Sequence, residues 1–110
     1  MNRGDIWIIE LGGRLGKRPV VVLTRQNVLE FLNKVTVAKV TIQGKGYPTE
    51  VFIGQKENLP KPSFVQADKL HTVPKTKLAK YVGTLDHETM NEISKKVVLS
   101  LQLEPCIEEI

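Results

Sequence analysis

Apolar residues in this chain gather into short runs broken by glycine, proline and lysine, and only one stretch near the C-terminus repeats them at helical spacing. Residues 6–11 form an apolar run around Trp7, closed by Gly12 and Gly13, and read as a strand. Residues 12–17 hold three glycines and two basic residues, the composition of a flexible basic loop. Residues 19–23 are a continuous β-branched run led by Pro19, which predicts a buried strand. Proline has no N–H to give to a ladder, so it belongs at the strand's start. Residues 26–33 suggest a short helical turn. Residues 34–42 alternate: Val35, Val37 and less cleanly Lys39 on one face, Thr36, Ala38, Val40 and Ile42 on the other. They predict the longest strand. Gly44 and Gly46 mark a turn, and residues 48–53 read as the hairpin partner. Residues 54–63, with Pro60 and Pro62, predict a loop. Residues 64–73 read as one strand, or as two short ones around Ala67-Asp68. Residues 74–85 are lysine-rich and irregular.

The clearest element is the last. Met90, Ile93, Val97 and Leu101 recur at helical spacing, Asp86 is placed to cap the first turn, and Pro105 prevents clean continuation. Glu88 and Glu92 near the start, with Lys95 and Lys96 later, suit the helix dipole. Several strands followed by one amphipathic helix predict a mainly β (α+β) fold. Its short loops favour a curled antiparallel sheet or SH3-like small barrel with a C-terminal α-helix. One domain is expected over residues 1–103, and residues 104–110 read as a C-terminal tail.

Composition narrows the function classes. The chain of 110 residues is 41% apolar and 25% charged, values of a folded globular protein rather than a disordered one. Its net charge of +4 is compatible with a polyanionic partner and equally with a solvated basic surface. Cys106 is the lone cysteine, which fits a reducing compartment. No signal peptide and no apolar stretch of membrane-spanning length is evident, so a cytoplasmic location without membrane association is expected. His71 and His87 have no cysteine near them, which speaks against a zinc site; no metal and no cofactor is expected. The glycines at 12, 13 and 16 precede a proline-led strand rather than a helix, the wrong setting for a phosphate-binding loop. Arg3-Gly4-Asp5 matches a cell-adhesion tripeptide, a three-letter coincidence.

Six segments in order carry a family resemblance. Arg3-Gly4-Asp5-Ile6-Trp7 resembles the opening strand of the MazF/PemK/Kid toxins, and Gly16-Lys17-Arg18-Pro19-Val20-Val21-Val22 is similar to their G-x-R-P-hydrophobic motif. Val37-Ala38-Lys39-Val40-Thr41 resembles the strand that ends in their active-site threonine. The stretches Lys45 to Val51, Val65 to Val73 and Asp86 to Leu101 match the elements that follow. The resemblance spans about residues 3–103. It implies the toxin of a type II toxin–antitoxin system: a homodimeric, metal-independent endoribonuclease that cuts single-stranded RNA at short sequences. The products it implies are a 2′,3′-cyclic phosphate and a 5′-hydroxyl.

The same resemblance places Arg18 at the catalytic arginine and Thr41 at the catalytic threonine. The residue types suit the chemistry, since a guanidinium fork matches phosphate oxygens and a hydroxyl can hold the phosphate in register. Asp68 matches an acidic position that some members use and is the candidate conventional base; it reads equally as a turn residue. His71 falls where other members carry a basic residue, and as an ordinary strand-surface histidine otherwise. Arg14, Lys17, Arg25 and Lys45 are basic and loop-placed, and with Tyr47 and His71 are the candidate RNA contacts. Trp7 is a second aromatic, with the core as its simpler home. Two departures stand out: the loop before Arg18 is shorter than in many members, and Gln66 stands where some carry a second catalytic arginine. The expected partners are single-stranded RNA and a cognate antitoxin. The rival readings are a gyrase-poisoning toxin of the same fold and a catalytically silent binding module.

Overall fold

The computed structural model describes residues 1–14, 16–55 and 59–103. Six strands and one helix follow in the order β1 (Asp5–Glu10), β2 (Lys17–Val22), β3 (Lys34–Thr41), β4 (Glu50–Gly54), β5 (Ser63–Pro74), β6 (Leu78–Thr84) and α1 (His87–Leu101). Two 3-10 turns, Gln26–Phe31 and Lys75–Lys77, connect β2 to β3 and β5 to β6. The strands form one antiparallel sheet in the order β4-β5-β3-β2-β1-β6. The sheet is open, with β4 and β6 at its edges, so of the two expected forms it is the curled sheet and not a closed barrel.

Both faces of the sheet are packed, and β2 shows how. Val21 points into one core, with Ile6, Val65, Val51 and Ile53, while Val20 and Val22 point into the other, with Ile9, Val35, Val37 and Leu78. Helix α1 covers the first core through Met90 and Ile93. The first 3-10 turn covers the second through Leu29, whose carbonyl oxygen accepts a hydrogen bond from Lys75 Nζ. Burying an aliphatic side chain of this size stabilises the fold by about 1.5–3 kcal/mol. A sheet buried on both sides explains why β2 is continuously apolar rather than alternating.

The helix has the predicted cap: the Asp86 carboxylate accepts from the Thr89 N–H at 2.7 Å. It ends at Gln102 in the left-handed conformation. The Arg3-Gly4-Asp5 tripeptide is a structural knot. Arg3 donates to the Leu23 carbonyl at 3.1 Å and to Ser94 Oγ at 2.9 Å, tying the N-terminus to β2's end and to α1. Gly4 sits at φ +93°, where a Cβ would be strained and would press on Met90. The buried Asp5 carboxylate accepts from the Asn2 N–H at 2.7 Å and from Thr84 Oγ1 at 2.8 Å. Trp7 packs against the second core, edge-on to Tyr81 at 5.8 Å between ring centres.

Two expectations change. Residues 48–53 were to pair with β3, but β4 pairs with β5, which lies between them. The chain leaving β3 passes β5 rather than turning back. Phe64 of β5 fills the space beside Gly44, where a tight hairpin would run. Residues 74–85, irregular by pattern, contain β6. It is an edge strand paired with β1 alone through two register irregularities, and its charged exposed face shows no alternation. Residues 64–73 form a single strand within β5. Opposite the consecutive residues Ala38 and Lys39 it runs from Leu70 to Gln66, so Ala67, Asp68 and Lys69 form a bulge. The expected tail, residues 104–110, lies outside the described residues.

Candidate active site

The site forms where the β2–β3 ladder ends. That ladder pairs Val20 with Lys39. Continuing its register two residues brings Arg18 level with Thr41, and both side chains line one cavity of about 500 Å3 with Lys17, Gln43, Pro60 and Ser63. Pro19 begins the apolar half of β2, so Lys17 and Arg18 are the last residues of the strand to remain exposed. The Arg18 guanidinium donates to the Lys17 carbonyl at 3.1 Å and has no carboxylate within ion-pair distance among the described residues. Thr41 Oγ1 accepts from the Gln43 N–H at 3.1 Å, which fixes the oxygen and leaves the hydroxyl proton for another acceptor.

A second cavity, of about 510 Å3, also has Arg18 in its lining. Ile9, Val20, Val37 and Val73 give it aliphatic walls, and Lys39 and His71 stand on them. His71 is opposite Val37 across the β3–β5 pairing. Among the described residues, no aspartate or glutamate lines either cavity. A concave surface with cations and no carboxylates concentrates an anionic ligand.

The loop after Thr41 is held from below. The Glu50 carboxylate accepts hydrogen bonds from the backbone N–H groups of Lys45, Gly46 and Tyr47, at 2.8 to 3.2 Å. Lys45 and Tyr47 are exposed on this loop, Tyr47 to 55%. Arg14 is exposed before β2, and Arg25 is exposed at the start of the first 3-10 turn. Lys17 makes a 3.7 Å ion pair with Glu10. Asp68 is exposed in the β5 bulge and lines neither cavity, so the structure does not bring it together with Arg18 and Thr41. Lys39 is the residue that sequence reasoning passed over. Its signal was the lysine interrupting the valine face of β3. Among the described residues, no three His, Cys, Asp or Glu side chains are grouped to hold a metal ion. No helix among them is long and apolar enough to cross a membrane.

The profile of the family described as "PemK-like, MazF-like toxin of type II toxin-antitoxin system" matches residues 2–101. The chain belongs to this family. It is 32% identical over 93 residues to the "Probable endoribonuclease MazF2" of Mycobacterium tuberculosis, covering 84% of this chain and 89% of that protein. It is 40% identical over 68 residues to "Endoribonuclease MazF3" of the same species, covering 62% and 66%. Among solved structures, "Mycobacterium tuberculosis toxin MazF-mt6" superposes with a TM-score of 0.81 at 31% identity, covering 89% of this chain and 96% of that one. A mycobacterial endoribonuclease described as "in complex with its cognate antitoxin" superposes with a TM-score of 0.83 at 26% identity, covering 94% and 96%. The MazF-like fold is therefore matched over nearly the whole chain.

Proposed function

We propose that this MazF-like protein is the toxin of a type II toxin–antitoxin pair and acts as an endoribonuclease on single-stranded RNA, with Arg18 and Thr41 at its centre. The observation that carries the reading is that both side chains line one cavity, beyond the end of the β2–β3 ladder, with no carboxylate in its lining among the described residues. Relatives of the same family are named endoribonucleases.

In the reaction the ribose 2′-oxygen attacks the adjacent phosphorus and gives up its proton. The bond from phosphorus to the 5′-oxygen breaks, and that oxygen takes a proton. The phosphate gathers negative charge on its non-bridging oxygens on the way. Arg18 presents its planar fork of N–H donors to that charge, and Thr41 donates its free proton to a phosphate oxygen. A fixed donor of this kind contributes about 3–4 kcal/mol to the transition state. Asp68 lines neither cavity, so no step is placed on it. Arg14, Lys17, Arg25, Lys45, Tyr47 and His71 contact the RNA on either side. The toxin works in the cytoplasm as a homodimer. It is held in check by an acidic antitoxin chain that folds on binding to its basic face.

The test is incubation of a long single-stranded RNA with purified protein in a metal chelator, beside Arg18→Ala, with the fragment ends read chemically. Discrete fragments with cyclic-phosphate ends, absent with the variant, are expected. Intact RNA with folded wild-type protein would overturn the ribonuclease reading. Cleavage only after adding a divalent cation would replace the metal-independent mechanism. Full activity of Arg18→Ala would displace Arg18 from the centre.

A further inference from the structure

Lys39 is the one charged side chain on the valine face of β3 that lines the aliphatic cavity. It lies inside β3 on the face that carries Val35 and Val37, both buried, and it is opposite Val20, also buried. Its own side chain is exposed and points into the aliphatic cavity. No aspartate or glutamate stands within ion-pair distance of it among the described residues. On its other side Lys39 is level with Gln66 of β5, so the exposed ammonium stands between a buried valine and an uncharged amide.

Its place relative to Arg18 is set by the ladder. Arg18 is level with Thr41, so Lys39 is its diagonal neighbour on the same face. Diagonal neighbours on an antiparallel pair stand roughly 7–8 Å apart. Both cations line the same cavity, and His71 stands across β3 on its far side. The wall between them is Val20 and Val37, an apolar surface without hydrogen-bonding groups of its own.

Resting on the ribonuclease reading above, we propose that Lys39 binds the RNA phosphate next to the scissile one. The 510 Å3 cavity then takes the nucleotide between the two phosphates. Arg18, which lines both cavities, holds the scissile phosphate. The chain runs from there into the aliphatic cavity, its base against that cavity's aliphatic lining and its next phosphate on Lys39 Nζ. Lys39 is thus a positioning residue. It fixes the direction in which the backbone leaves the reaction centre and takes no part in proton transfer. A contact to phosphate is blind to sequence, so Lys39 strengthens binding of every RNA alike.

The experiment compares wild type, Lys39→Met and Lys95→Met. Methionine keeps the aliphatic stem and removes the charge, and Lys95 is an exposed lysine of α1, outside both cavities. Single-stranded oligonucleotide binding and cleavage are followed across a salt series. For Lys39→Met the KM is expected to rise about tenfold or more with kcat little changed. The slope of log K against log salt should fall by about 0.7, the value for one phosphate contact on a single strand. Lys95→Met should match wild type in both. An active Lys39→Met enzyme with wild-type KM and slope would overturn the proposal while leaving the ribonuclease intact. So would an equal slope change in Lys95→Met, because net charge alone would then explain it. A changed sequence preference at one position would replace the phosphate contact with a base contact. Wild-type protein that neither binds nor cuts RNA would remove both readings together.

Discussion

Gly44 lies against the ring of Phe64 so closely that a Cβ on it would come within 2.6 Å of the ring. Phe64 is itself packed on Phe52, with ring centres 5.0 Å apart, so the two rings would have to shift together. The contact joins the loop that follows Thr41 to the strand inserted between β3 and β4. Gly44→Ala is therefore expected to push this loop outward and break the bond from Gln43 to Thr41. Overpacking of this kind destabilises by about 1–3 kcal/mol. The lowered melting temperature should come with a loss of RNA cleavage that refolding does not restore. A variant with wild-type melting and rate would show that the loop relaxes freely.

Glu50 orders the same loop from its other end. Three backbone N–H groups depend on its carboxylate. Glu50→Ala leaves them to water, and amide hydrogen exchange at residues 45–47 should speed up by about tenfold. Cleavage should weaken mainly through KM, since Lys45 and Tyr47 lose their fixed positions while Arg18 keeps its own. Unchanged exchange at those amides would mean the loop is held by something else.

Thr41 is expected to act through its hydroxyl and not through its shape. Thr41→Ser should keep the rate within about threefold, whereas Thr41→Val, equal in size, should lower kcat about a hundredfold. Equal rates for Ser and Val would make the residue a spacer. Asp68→Asn, outside both cavities, should stay near wild type in the same assay; a collapse of its rate would bring the bulge into the chemistry.

Asp5 gives a prediction about stability alone. It is 3% exposed, and its carboxylate joins the chain start to Thr84 at the end of β6. Asp5→Ala should cost about 1.5–3 kcal/mol for the hydrogen bonds lost to a charged group. Activity per folded molecule should not change. Denaturant unfolding alongside cleavage at low temperature separates the two effects.

The elements legible in the sequence are those whose own residues determine them. Met90, Ile93 and Val97 declared α1, Asp86 its start, and the runs in β1, β2 and β3 their strands. What was not legible depended on neighbours far along the chain. The partner of β4 is β5, which takes the place beside β3, and no local pattern announces that. Strand β6 exists because β1 offers it an edge, and Lys80 and Tyr81 face water, so no alternation betrays it. In the site, Arg18 and Thr41 stood out through resemblance, but Lys39 looked like an imperfect strand position. Only the register with Val20 shows what it faces. Asp68 was singled out by type, and the bulge sets it outside the cavities that Arg18 lines.

The three residues of that bulge have a consequence of parity. Along a strand, side chains alternate sides, so an even number of extra residues would leave the sides unchanged and an odd number exchanges them. Val65, before the bulge, belongs to the core under α1, whereas Val73, after it, packs on the opposite core. The odd insertion is what turns His71 toward Arg18 instead of toward the helix. Deleting any one of Ala67, Asp68 or Lys69 would therefore be heard at the far end of β5 as a reversal: His71 and Val73 would trade places with their neighbours, and the aliphatic cavity would lose its wall without a single one of its own residues having been changed.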